Sequence, residues 1–200
     1  MKNVLFLVGP HASGKTYSTR ELINRKELQD TIMIDTGPIM RKLHKESSPN
    51  TTIDMWVESL EKQHGKNITS KLISQEIGRI FAKTECNNCI LIGFRSLKGI
   101  IYTIEELNID NYNILYVDAS FELLYKNYIS REEKNITKPE FDVYIQDELN
   151  SGLGVLKNIA LNNNQLIDYY YRESNEDNFE NIILKYIEPD KPLIKRRKQK

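Results

Sequence analysis

The chain has little of what marks a secreted, membrane-bound or nucleic-acid-coating protein. Cysteine occurs twice, at Cys86 and Cys89, which is too few for a disulfide framework. The C-x-x-C spacing invites a zinc reading. A structural zinc site needs four ligands, however, and the three histidines (His11, His44, His64) are scattered. Two reduced thiols at the start of a strand is the expectation. No apolar run reaches the roughly 20 residues that cross a bilayer. Met1-Lys2-Asn3 leads into a strand pattern rather than a signal peptide, so a cytoplasmic protein is expected. Net charge is also absent, with 28 basic and 28 acidic residues. Six of the basic ones (Lys191, Lys195, Arg196, Arg197, Lys198, Lys200) fall in the last ten positions, leaving residues 1–190 with an acidic excess of six. Such a body is poorly suited to general nucleic-acid binding, and the 189–200 tail reads as a disordered, solvated terminus.

What is present is a repeated alternation of strand and helix patterns in a chain of one-domain length. Strand-like runs cover Val4–Val8, Thr31–Ile34, Cys89–Ile92, Ile114–Val117 and Gln165–Tyr170. Helical patterns cover Thr16–Glu27, Asp54–Gln63, Thr69–Lys83, Leu97–Leu107 and Phe121–Ser130. After Pro139, Phe141, Ile145, Leu149, Leu156 and Ile159 recur at helical spacing, with Gly152 and Gly154 placed to bend the segment. Short, continuously apolar strands separated by helices predict an α/β fold, a five-stranded parallel sheet with helices on both faces. In such folds ligands sit beyond the carboxyl ends of the strands.

Directly after the first strand stands Gly9-Pro10-His11-Ala12-Ser13-Gly14-Lys15-Thr16, a complete G-x-x-x-x-G-K-T phosphate loop. Both glycines allow a tight turn that aims successive N–H groups at a polyphosphate, and the helix that follows presents its positive end to the same anion. The motif predicts that Gly9, His11, Ala12, Ser13, Gly14, Lys15 and Thr16 bind a nucleoside triphosphate. Lys15 reaches the β- and γ-phosphates, and the Thr16 hydroxyl ligates Mg²⁺. Two further strand ends carry arginine: Asp35-Thr36-Gly37-Pro38-Ile39-Met40-Arg41 and Gly93-Phe94-Arg95-Ser96. Lys126 and Arg131 follow at the end of the 121–130 helix. A transferring phosphoryl group spreads negative charge over its equatorial oxygens, and guanidinium forks suit it.

These segments resemble those of nucleoside monophosphate kinases. Thr36-Gly37-Pro38-Ile39-Met40-Arg41 looks like the S-T-G-D-x-x-R segment of the adenylate-kinase-like group, and Gly93-Phe94-Arg95 like its D-G-F-P-R segment without the proline. Gly65-Lys66-Asn67-Ile68 is similar to the stretch lining the acceptor base. Residues 147–154 and Ile167-Asp168-Tyr169 resemble a branch that includes dephospho-coenzyme-A-kinase-like proteins.

The resemblance implies a P-loop kinase domain over 1–188, with an acceptor-binding flap at 36–88 and a lid at 126–139. Thr36, Arg41, Ile68 and Arg95 would then hold the acceptor, and Lys15, Arg95 and Arg131 would serve catalysis. One departure stands out: Ile92 occupies the place of the Asp that in this family supports the Mg²⁺ shell. Asp35 is the nearest replacement, but it could equally orient an acceptor hydroxyl or cap the next helix. The expected activity is transfer of a γ-phosphoryl group from MgATP to a small phosphate-bearing acceptor, foremost a nucleoside monophosphate. The rivals are a catalytically weak ATP-binding module that a partner reads, and a kinase acting on a coenzyme precursor such as dephospho-coenzyme A.

Overall fold

The computed structural model describes residues 3–132, 136–162 and 165–188. Five parallel strands, β1 (Asn3–Val8), β2 (Thr31–Asp35), β3 (Asn88–Ile92), β4 (Tyr112–Ala119) and β5 (Asp168–Arg172), form one sheet in the order β2-β3-β1-β4-β5. The alternation of strand side chains sorts the residues onto its two faces. Val4, Phe6, Val8, Leu91 and Tyr116 pack on one face with Ile77, Ile100 and Leu156. Leu5, Leu7, Ile90, Ile92 and Val117 pack on the other with Leu22, Phe179 and Ile183. Coverage of both faces explains why β1 reads as an unbroken apolar run.

The helices that cover the first face are α4 (Ile68–Phe81), α5 (Leu97–Glu106) and α8 (Gly154–Leu161). Those on the second are α1 (Lys15–Asn24) and α9 (Phe179–Ile187). Between β2 and β3 the chain forms α2 (Thr36–Ser47), α3 (Ile53–His64) and α4, the segment expected to be the flap. After β4 come α6 (Phe121–Glu132) and α7 (Lys138–Glu148), then a π-helical turn at Leu149–Leu153 that leads into α8. Leu123, Leu124 and Tyr128 of α6 meet Phe141 and Ile145 of α7 in a third, smaller core. The expected lid straddles residues 133–135, and the basic tail spans 189–200; both stretches lie outside the described residues.

The fifth strand starts later than the apolar run Gln165–Tyr170 suggests. β4 continues to Ala119, and its partner follows it in register, with Leu115 opposite Asp168 and Ala119 opposite Arg172. Cys89 lies buried within β3 and Cys86 is half-buried just before it; both are free thiols, and burial pushes the Cys89 thiol up. Among the described residues, no helix is long and apolar enough to cross a membrane.

Candidate functional site

The loop from Gly9 to Thr16 links β1 to α1 at the carboxyl edge of the sheet. Gly14 adopts φ +87 at the helix N-cap, a left-handed conformation that suits glycine. A side chain there would also collide with the Arg172 guanidinium. Ala12 is left-handed as well, at φ +62, a conformation that costs a residue with a Cβ on the order of 1 kcal/mol. Strain of this kind is held by its surroundings. Here Asn127 of α6 donates to the Ala12 carbonyl at 3.0 Å, and Arg172 donates to the Ser13 carbonyl at 2.9 Å.

Lys15 folds back onto its own loop. Its Nζ donates to the carbonyls of Gly9 (2.9 Å) and Pro10 (2.7 Å) and to Ser13 Oγ (2.8 Å). Burial pulls the Lys15 ammonium down to about 8; Glu148 and then Asp35 oppose that shift, while Arg95 and Arg131 reinforce it. Two of these groups are tied to the loop itself: Glu148 Oε2 accepts from the His11 N–H at 2.7 Å, and Arg131 Nη1 lies 3.3 Å from His11 Nε2. Thr16, half-buried, follows as the second residue of α1.

Each expected site residue has a definite place. Asp35 is the N-cap of α2: its Oδ1 accepts from the Gly37 N–H at 2.9 Å. The capping reading is thus realised, although the same carboxylate also acts on Lys15. Arg41 reaches back one turn of α2. A Cβ built on Gly37 would lie 3.2 Å from Asp35 Oδ1 and 3.4 Å from Arg41 Nη1, so both groups sit over that glycine. Thr36 is buried, its hydroxyl 2.6 Å from where a Cβ on Gly93 would be. Arg131 Nη1 lies 3.3 Å from His11 Nε2, and the His11 ring packs edge-on against Tyr128 and Tyr144. Helices α6 and α7 are in this way tied to the loop. Ile68 stands half-buried at the start of α4, and the contacts converging on the loop do not involve it.

Ile92 is 2 % exposed in the apolar cluster around Leu5, Leu7 and Leu22. A carboxylate in that position would be buried among hydrocarbon. Glu148, which local reasoning did not single out as a site residue, is the acid nearest in effect to Lys15. It is 3 % exposed; Oε2 accepts from the His11 N–H at 2.7 Å, and Oε1 from Arg95 Nη2 at 2.8 Å and Tyr144 OH at 3.4 Å. Burial first and Glu148 second push the Tyr144 hydroxyl up to about 12. Arg172 was also not anticipated. Buried at the end of β5, it is gripped by Asp177 at 2.8 and 3.1 Å and lies over the Phe179 ring. For Glu148 the one local signal was a charge at helical spacing from the buried Phe141 and Ile145; the half-exposed strand before Arg172 gave none.

The chain is an α/β protein with a five-stranded, all-parallel sheet, consistent with the P-loop kinase-like fold. Its structure is similar to that of the tunicamycin resistance protein of Deinococcus radiodurans, with a TM-score of 0.50 and 10 % identity over 81 % of this chain and 95 % of that one. It is also similar to an uncharacterized protein from Eubacterium ventriosum ATCC 27560, with a TM-score of 0.50 and 11 % identity over 94 % and 99 % of the two chains. At such identities the likeness extends to the fold alone. No protein-family model and no curated protein sequence matches the chain.

Proposed function

We propose that the protein is an ATP-dependent phosphotransferase that moves the γ-phosphoryl group of MgATP to a small phosphate-bearing acceptor, foremost a nucleoside monophosphate. The observation that carries this reading is that Arg95, through Glu148, and Arg131, through His11, are tied to the loop that holds Lys15. A loop that merely binds a nucleotide has no need of arginines brought in from the end of β3 and from α6. In the proposed reaction an acceptor phosphate oxygen attacks the γ-phosphorus, the bond to the β–γ bridging oxygen breaks, and ADP leaves. Loop amides and Lys15 would hold the β- and γ-phosphates, and Thr16 would ligate the Mg²⁺ that arrives with ATP. Arg131 offsets charge on the phosphoryl group in flight, while Arg41 and Arg95 hold the acceptor. Closure of α6 and α7 over the loop excludes water as a competing acceptor.

A second reading, an ATP-binding module with weak catalysis, draws on the burial of Ile92 among apolar side chains. A coenzyme precursor such as dephospho-coenzyme A remains the alternative acceptor. Incubation with γ-labelled MgATP and a panel of nucleoside monophosphates plus dephospho-coenzyme A tests all three. Label on one acceptor supports the transferase, and its identity decides between the acceptors. ATP binding with no labelled acceptor supports the module.

A further inference from the structure

We propose that Glu148 is a positioning residue that holds Arg95 as a preset phosphate clamp and fixes it relative to the phosphate loop. This deepens the transferase reading and rests on it for the role of Arg95. One side chain makes the link: Glu148 Oε2 takes the His11 N–H of the loop, and Oε1 takes a single N–H of Arg95. A guanidinium has five donors, and Glu148 uses one. The Arg95 side chain is about half exposed, so donors remain on its open side. Held from behind by a buried carboxylate, the fork loses less freedom when it meets a phosphate.

The backbone of Arg95 is fixed by the same segment. The π-helical turn after α7 brings Gly152, at φ +119, against the Arg95 carbonyl, where a Cβ would come within 2.5 Å of the oxygen. The end of α7 and the turn after it therefore meet Arg95 on two sides: Glu148 holds its side chain, and Gly152 packs against its carbonyl. π-Type turns inside helices are frequent at functional sites. This one spans Leu149–Leu153, and Gly152 departs from helical angles where it meets the Arg95 carbonyl. It also supplies an acid beside the loop that position 92, buried in hydrocarbon, cannot.

The test is a double-mutant cycle on the full-length chain, with inorganic phosphate as the probe and calorimetry as the readout. Glu148→Gln keeps an oxygen for the His11 N–H but loses the charge that holds Arg95. Both Glu148→Gln and Arg95→Ala should weaken phosphate binding by roughly tenfold or more, the scale of a charge-assisted hydrogen bond, and the double mutant should be no weaker than either alone. Additive losses overturn the proposal, as does phosphate affinity that ignores Arg95. Arg95→Lys at this half-exposed position keeps the charge but loses the fork. It should fall by a similar factor even if Glu148→Gln does not fold, and wild-type affinity in that variant also overturns the proposal. The outcomes separate from those of the transferase reading. A coupled cycle in a protein that labels no acceptor keeps the clamp and removes the transferase, whereas additive losses in a protein that transfers phosphate remove only the role of Glu148.

Discussion

Arg172 Nη1 donates to the carbonyl oxygen of Ser13 at 2.9 Å, joining the end of β5 to the middle of the phosphate loop. The same guanidinium is gripped from the other side by both Asp177 oxygens. The loop is thus supported from a strand two positions away across the sheet, and Gly14 is left without room for a side chain. Arg172→Ala strands a largely buried Asp177 carboxylate, a change that typically costs about 3–5 kcal/mol. A large drop in thermal midpoint together with weaker ATP binding is expected. A drop in midpoint with ATP affinity unchanged would restrict Arg172 to stability.

Lys15 gives a pH signature. Its buried ammonium titrates near 8, against an ordinary lysine value of about 10.4. The folded state therefore binds this proton less readily than the unfolded chain does. The corresponding cost to stability is fully present below pH 8, and it is relieved as pH rises from about 8 toward the unfolded value. A bound triphosphate favours the charged form, so ATP binding at pH 8 to 8.5 should take up protons, and binding near pH 6.5 should not. Calorimetry in buffers of different ionisation enthalpy reads this directly. Lys15→Ala should abolish both ATP binding and the proton uptake while the chain stays folded.

Arg41 separates acceptor from donor. Arg41→Ala should lower kcat/KM for the acceptor by roughly 10²-fold, the scale of a lost charged hydrogen bond. ATP affinity should stay close to wild type. Damage to ATP binding as severe as that in Lys15→Ala would mean that Arg41 serves the donor side.

Asp35 both caps α2 and acts on Lys15. Asparagine caps about as well as aspartate, so Asp35→Asn removes the charge and leaves the cap. Stability should change little, while turnover should fall and the Mg²⁺ needed for half-maximal rate should rise if the carboxylate supports the waters of a bound Mg²⁺. Unchanged rate and metal dependence would leave Asp35 as a cap alone.

The fold was legible where burial is symmetrical. β1 and β3 are covered on both faces, so their sequences are continuous apolar runs. The Gly9–Thr16 turn between β1 and α1 was legible because its signal is local, with a glycine at the left-handed helix N-cap. β5 was displaced because Tyr169 and Tyr170 are only partly buried, Tyr171 is exposed, and its bounds follow β4 rather than its own pattern. The helix Phe179–Ile187 went unnoticed although Phe179, Ile183, Leu184 and Ile187 line one face. Glu148 and Arg172 could not be assigned from sequence, since their roles lie in contacts 137 and 159 residues away along the chain. Asp35 was legible as chemistry but ambiguous in role, and the structure shows it as the cap of α2.

The central claim is that the loop of Lys15, with Arg95 and Arg131 tied to it, performs phosphoryl transfer to a phosphate-bearing acceptor. The most direct measurement is transfer of labelled γ-phosphoryl from MgATP to the acceptor panel, run in parallel on the wild type and on Lys15→Ala. The account predicts label on at least one phosphate-bearing acceptor with the wild type and none with Lys15→Ala. ATP binding by the wild type without label on any acceptor would contradict it.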